Sequence, residues 1–308
     1  MQRRIPWRRL DGVLLLDKAP GVSSNGALQA ARRLFLAEKG GHTGTLDPMA
    51  TGLLPLAFGE ATKFSGMLLG ADKAYEATVR LGIETDTGDA EGAPIAHARV
   101  SSDRQEIEAV LARFTGPIEQ IPPMFSALKR DGRPLYEYAR AGMEVEREVR
   151  QVCIHKLELL GVEGDSFRIR VRCSKGTYIR VLAVDLGRAL GCGAHLSALR
   201  RTGTGGFDVA QAYSLAALEA MSAQQRECAL LPADALVSHL PVLNLAAAQA
   251  AAVLQGQALR VPGAGSGLMR MYDTGGRFLG LGELDPAGKL SPKRLIATGA
   301  AISLPSSD

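Results

Sequence analysis

Two hydrophobic periods are interleaved along this chain of 308 residues, and their irregular order restricts the fold more than any other feature. Tyr75, Ala77, Val79 and Leu81 alternate with other residues, as do Phe167, Ile169, Val171 and Cys173, the period of half-buried strands. Leu28, Ala31, Leu34 and Phe35 keep a helical period that Ser23 or Ser24 can cap, and Ile107, Val110, Leu111 and Phe114 share one helical face within Asp103–Thr115. Val13–Leu16 predicts a short buried strand ending at the turn Ala19-Pro20-Gly21, and a further helix is expected after Tyr178, through about Leu190. Strands and helices do not alternate regularly, so the pattern predicts an α+β fold rather than a series of βαβ units. Gly40–Gly59 carries neither period and predicts a loop.

After Pro241 the character changes. Ala246–Leu254 predicts a short alanine-rich helix, followed by strand-like runs at Gln257–Val261, Leu268–Tyr272, Phe278–Leu284 and Arg294–Ala297, separated by glycines. That pattern predicts a small β-rich barrel. A chain of this length accommodates about two domains, and the sequence divides it unequally, into residues 1–242 and residues 243–308.

Apolar residues make up 46% of the chain and charged residues 22%, which argues against a disordered or fibrous protein. No run approaches the roughly 20 apolar residues of a membrane span, and Val13–Leu16 is too short for a signal-peptide core. A cytoplasmic protein with no membrane partner is expected. Cys153, Cys173, Cys192 and Cys228 contain no CxxC pair, which rules out a zinc ribbon, and they read as reduced thiols. The net charge of +4 hides a segregation: residues 84–120 hold eight acids against three bases, and residues 147–201 hold eleven bases against five acids. The first 50 residues are also basic, with Arg3, Arg4, Arg8 and Arg9 near the start. Such segregation suits a protein that meets phosphates, and also suits basic side chains that merely solvate helix faces.

The most unusual stretch is GHTGTLDPMATGLLP, residues 41–55. Pro48 biases Asp47 toward an extended backbone, and the glycines permit tight turns and close approach by another molecule. An unperturbed Asp is ionised at pH 7, so a displayed Asp47 could act as a nucleophile without a base to activate it. A phosphate-cradling loop would need Gly-Lys-Ser/Thr, which does not follow. A glycoside hydrolase would need a second carboxyl group about 5–10 Å away, and the nearest following acid is Glu60. His42 with Asp47 is too small a set for a metal. On these residues alone, a structural turn in which Asp47 caps neighbouring amides is the better account of the stretch, being the commoner fate of an Asp in a Gly/Thr loop.

The same stretch resembles the second motif of the TruB family of tRNA pseudouridine synthases, and GVLLLDKAPGVSS resembles the first. KAYEATVRLGIETDTGD is similar to the tyrosine-bearing strand and its loop, QIPPMFSALKRDGRPLYEYARAG to the RNA-gripping segment, and RVRCSKGTYIRVLAVDLGRALG to the arginine-bearing motif. The resemblance covers most of residues 10–240 in the family's order, and the tail resembles the PUA domain of bacterial members. Ala19 stands where the family often has Pro, and Phe125 where Tyr is common.

The resemblance implies a pseudouridine synthase catalytic domain, a mixed and mainly antiparallel sheet flanked by helices, with an RNA-binding insertion at about 124–150 and a PUA-like pseudo-barrel. It implies isomerisation of uridine-55 in the tRNA T loop to pseudouridine, with base flipping, by a stand-alone enzyme. Asp47 would be the nucleophile, attacking C1′, adding to C6 or removing the 2′ proton. Arg180 would hold Asp47 in a bidentate pair that keeps its pKa low. Tyr75 would stack on the uracil and assist proton removal from C5. Tyr178 and Leu199 would complete the pocket, His42 would fill or contact the gap left in the loop, and Lys18 of the first motif would join the substrate-binding residues. No metal, no cofactor and no guide RNA are implied, the partner is the tRNA T stem-loop, and a monomer is expected. Segment 124–150 is expected to order only on RNA. The alternative from another class is a non-catalytic tRNA-binding or RNA-folding protein on the same scaffold.

Overall fold

Thr51–Phe58, drawn from the stretch expected to be a loop, is a central strand of the main sheet in the computed structural model of the chain, which describes residues 6–261, 263 and 265–297. Its sequence TGLLPLAF shows no alternation because both of its faces are covered, and every residue after Thr51 is buried. With Gly40–His42 paired to its far end, the true loop shrinks to the residues around Asp47. Arg3 and Arg4 of the basic start, and residues 298–308 of the expected C-terminal domain, lie outside the described residues.

The main sheet runs in the order Tyr213–Ser214, Gly12–Lys18, Thr51–Phe58, Ala194–Thr204, Lys73–Leu81, Ser166–Cys173, Arg150–Glu163, Gly116–Gln120. Two neighbouring pairs are parallel, Gly12–Lys18 with Tyr213–Ser214 and Thr51–Phe58 with Ala194–Thr204; the rest are antiparallel. The second parallel contact is brief, Thr51 opposite Arg200 and Gly52 opposite Arg201. It joins the two halves of the sheet immediately after the Asp47 loop.

Alternation along the strands sorts the core. Leu14, Leu16, Leu54 and Leu56 join Val79, Ile169 and Val171 in a core with the helices Ser24–Phe35, Arg104–Arg113 and Ile179–Ala189. Ser23 caps the first helix, accepting from the Gly26 amide at 3.0 Å, and Asp103 closes a capping box with Glu106 on the second. Val13, Leu15, Leu53 and Ala57 point the other way, into a core that also contains Phe64, Leu68, Leu236, Phe278 and Leu281.

The last two of those belong to the C-terminal sheet, a curled half-barrel of five strands in the order Val242–Asn244, Gly267–Tyr272, Phe278–Leu284, Lys289–Leu295, Leu259–Arg260. The run expected at Arg294–Ala297 overlaps only the end of the strand Lys289–Leu295, whose earlier part carries Lys289, Ser291 and Pro292 around the buried Leu290. Phe278 packs on Phe64 with ring centroids 5.4 Å apart, and Lys63 Nζ donates to the Leu295 carbonyl at 2.8 Å. Segment 124–150, expected to order only on RNA, contains a hairpin of Lys129–Arg130 with Arg133–Pro134 and the helix Leu135–Arg140. Among the described residues no helix is long and apolar enough to cross a membrane.

Candidate active site

The backbone on both sides of Asp47 is pinned. Ser24, the first residue of its helix, uses its hydroxyl to accept from the Leu46 amide at 2.8 Å and donate to the Leu46 carbonyl at 3.0 Å. The Pro48 carbonyl accepts from the Gly21 amide at 2.9 Å and from Lys18 Nζ at 3.1 Å. Lys18 donates also to the carbonyls of Ala19 at 2.9 Å and Val22 at 2.8 Å, so all three ammonium protons are committed to protein oxygens. Expected among the substrate contacts, Lys18 is instead 1% exposed and braces the turn beneath Asp47. Burial lowers its pKa to about 8, against the opposing pull of Asp47.

Arg180, second residue of the helix Ile179–Ala189, is 5% exposed and points its guanidinium at the loop. Its Nε lies 2.9 Å from Asp47 Oδ2, and one Nη donates to Asp47 Oδ1 at 3.4 Å. The expected pair is therefore formed, but it is not private. The same Nε lies 3.5 Å from Asp89 Oδ2, and the two Nη groups donate to the carbonyls of Thr87 at 3.1 Å and Phe125 at 2.6 Å. Asp89 is 3% exposed and accepts from the Thr87 hydroxyl at 2.6 Å and the Glu91 amide at 3.1 Å. One buried cation thus stands between two carboxylates.

That arrangement corrects the expectation that Arg180 keeps the Asp47 pKa low. Burial raises the Asp47 carboxyl above its ordinary value, Asp89 adds to the rise, and the opposing charges of Arg180 and Lys18 do not cancel it. Asp89 itself was not singled out from the sequence. It sits in the run Thr85-Asp86-Thr87-Gly88-Asp89, where nothing in the residue types tells which acid turns inward.

Tyr75 lies buried on the Lys73–Leu81 strand, opposite Arg201 in the register. Burial pushes its hydroxyl up to about 12, so it is a neutral phenol at pH 7. Tyr178 precedes the Arg180 helix, half-buried, with its backbone held by Gln120: the amide donates to Gln120 Oε1 at 3.0 Å and the carbonyl accepts from Gln120 Nε2 at 3.2 Å. The Asp47 charge reaches both tyrosine hydroxyls. His42 lies on Gly40–His42 with Nδ1 buried and without a hydrogen-bond partner among the described residues; burial and then Arg201 lower its pKa, leaving the ring neutral. Leu199 belongs to the main core and also borders a cavity of about 480 Å³ with Pro20, Met49 and Thr51 at the edge of the Asp47 loop.

The chain matches three family models in succession. Residues 32–179 match the TruB family pseudouridylate synthase N-terminal domain, residues 180–238 the tRNA pseudouridylate synthase B C-terminal domain, and residues 241–296 the C-terminal domain of pseudouridine synthase II TruB. It is 67% identical over 299 residues to the tRNA pseudouridine synthase B of Aromatoleum aromaticum, covering 97% of this chain and 96% of that one. The chain belongs to the TruB family of pseudouridylate synthases. The corresponding protein of Azoarcus sp. is 64% identical over 298 residues, covering 97% of this chain and 99% of its own length. Among solved structures, a Cbf5-Nop10-Gar1 complex contains a chain matched with a TM-score of 0.72 at 29% identity, over 92% of this chain and 84% of that one. An H/ACA ribonucleoprotein bound to a substrate RNA containing 2′-deoxyuridine gives a TM-score of 0.70 at 26% identity, over 92% and 84%. TruB membership makes the chain an enzyme of the pseudouridine synthase fold.

Proposed function

We propose that the protein isomerises uridine-55 in the T loop of tRNA to pseudouridine, without a guide RNA, using Asp47 as nucleophile on a flipped base. The observation that carries this reading is the Asp47 carboxylate, aimed by a buried guanidinium at 2.9 Å on a loop whose backbone is fixed at both neighbours. Pinning of this kind supports catalysis because a nucleophile held near its attack geometry avoids the entropy of finding it. The relatives named tRNA pseudouridine synthase B support tRNA as the substrate class, and the structural neighbour bound to a substrate RNA supports RNA as the kind of molecule bound.

The reaction breaks the N1–C1′ bond, turns the uracil and joins C5 to C1′, with the C5 proton leaving at the end. The ionised form of Asp47 is the reactive one in each route, so its raised pKa sets the acid limit of activity. Tyr75, Tyr178 and Leu199 supply the apolar walls on which an extruded uracil stacks, which offsets a few kcal/mol of lost stacking in the loop. Tyr75 meets the base as a neutral phenol, so its part in removing the C5 proton begins from a protonated hydroxyl. Lys129, Arg130 and Arg133 of the 124–150 segment carry phosphate contacts in this reading, and residues 243–308 form a second RNA-binding domain.

Tritium at C5 of uridine is released when C5–C1′ replaces C5–H. Pure protein with labelled tRNA transcript releases it, and Asp47→Asn abolishes release while leaving tRNA binding in place. Tight binding by the wild-type protein with no release would leave only the tRNA-folding role.

A further inference from the structure

Arg201 is 2% exposed and among the largest fully buried side chains of the described residues, yet no carboxylate lies within 4 Å of it among them. A buried guanidinium without a counter-charge is costly unless its donors are all met. Here each of its three nitrogens reaches a backbone carbonyl. Nε donates to Leu53 O at 2.7 Å, and the two Nη groups point to Thr45 O at 3.5 Å and Gly44 O at 3.3 Å. Gly44 and Thr45 precede Asp47 and Leu53 follows it, so a single planar group draws together the two legs of the loop that presents the carboxylate.

The backbone of the same residue closes the other side. Arg201 pairs with Gly52 in the short parallel contact, where Gly52 has φ +97° and a Cβ would fall 2.2 Å from the Arg201 carbonyl oxygen. Across the opposite edge Arg201 pairs with Tyr75 in the antiparallel register, which puts the two side chains on the same face of the sheet. Residue 201 is therefore where the Asp47 loop and the Tyr75 strand meet. A lysine would not reproduce this, since its single nitrogen would have to reach carbonyls that Arg201 meets from three separate nitrogens of a planar fork.

We infer that Arg201 is a positioning residue for the isomerisation, clamping both legs of the Asp47 loop and the Tyr75 side chain into one unit; this rests on the proposed function of the site. Loss of the clamp leaves the RNA-binding surface intact and loosens the geometry of Asp47 relative to Tyr75, a displacement of the size that costs up to about 10²-fold in rate.

The test compares wild type, Arg201→Lys, Tyr75→Phe and the double variant in single-turnover tritium release at saturating tRNA, with the tRNA dissociation constant measured alongside. Arg201→Lys is expected to slow release by about 10–10²-fold with the dissociation constant within about twofold. The double variant should be slower than Tyr75→Phe by much less than that factor, because both substitutions break the same unit. A folded Arg201→Lys protein releasing tritium at the wild-type rate overturns the inference, as do fully multiplicative effects. Should Arg201→Lys not fold, the Nε–H resonance of Arg201 in the otherwise wild-type chain, identified by its contact to Leu53, must be slow to exchange and must shift in Tyr75→Phe; a rapidly exchanging or unmoved resonance overturns it equally. Wild type that releases no tritium would overturn the proposed function alone, and the resonance would still decide the clamp.

Discussion

Asp89→Asn separates the two things the second carboxylate does to the site. The amide keeps the size of the side chain and can still accept from the Thr87 hydroxyl and the Glu91 amide, but it removes the charge that faces Arg180 Nε at 3.5 Å. Breaking a buried ion pair outright costs about 3–5 kcal/mol. Arg180 retains Asp47 at 2.9 Å, so about 1–3 kcal/mol is expected, and at roughly 2–4 °C per kcal/mol the melting temperature falls by about 2–12 °C. Asp89 helps to raise the Asp47 carboxyl, so removing its charge lets Asp47 ionise at lower pH. The acid limb of the single-turnover rate should therefore move down in pH, while the plateau drops by about 10–10²-fold because Arg180 is aimed less well. Tritium release measured across the acid range, with thermal melts at each pH, reads both. A plateau and an acid limb identical to wild type would refute the idea that Asp89 acts through Arg180 on Asp47.

Other expectations follow from the same geometry. Because burial raises the Asp47 carboxyl, the stability it contributes is present below the ordinary carboxylate pKa and lost as pH rises through the raised one; Asp47→Asn should thus melt higher than wild type at pH 7, with the gap closing below about pH 4. Burial brings the Lys18 pKa down to about 8 in the fold from its ordinary 10.5, so the unfolded chain holds the extra proton between these values and this group makes stability rise with pH across that window. Lys18→Met should flatten that rise in urea melts between pH 8 and 10.5. Gly52→Ala would place a Cβ 2.2 Å from the Arg201 carbonyl at φ +97°, costing about 2–4 kcal/mol by thermal or urea unfolding. Gly41→Ala meets nothing within 4 Å and should stay within about 0.5 kcal/mol of wild type.

Elements whose two faces differ were legible in the sequence. Lys73–Leu81 and Ser166–Cys173 alternate because one face is buried and the other is not, and the capped helix at Ser24–Phe35 carries its stripe in the open. Thr51–Phe58 was missed for the opposite reason: with both faces covered it has no period, and its glycine and proline read as loop. At the site, Asp47, Arg180 and Tyr75 were found through long motifs. Asp89, Gln120 and Arg201 were not, because their importance lies in which way a side chain turns and what it meets there. Arg201 was counted only as one base in a basic segment, yet it is buried and holds carbonyls rather than phosphates. The low pKa expected for Asp47 failed similarly, since pairing is visible in a motif and burial is not.

The packing of Phe278 and Leu281 against Val13, Leu15, Leu53 and Phe64 bears on how deletions of the tail should be interpreted. Cutting the chain near residue 240 does not release a tethered module. It strips the lid from a patch of aliphatic and aromatic side chains directly behind the strands Gly12–Lys18 and Thr51–Phe58, a surface that would associate with itself. The two sheets should melt in one cooperative transition. A truncated protein that loses turnover would then report a weakened floor beneath the Asp47 loop as much as a missing contact to RNA.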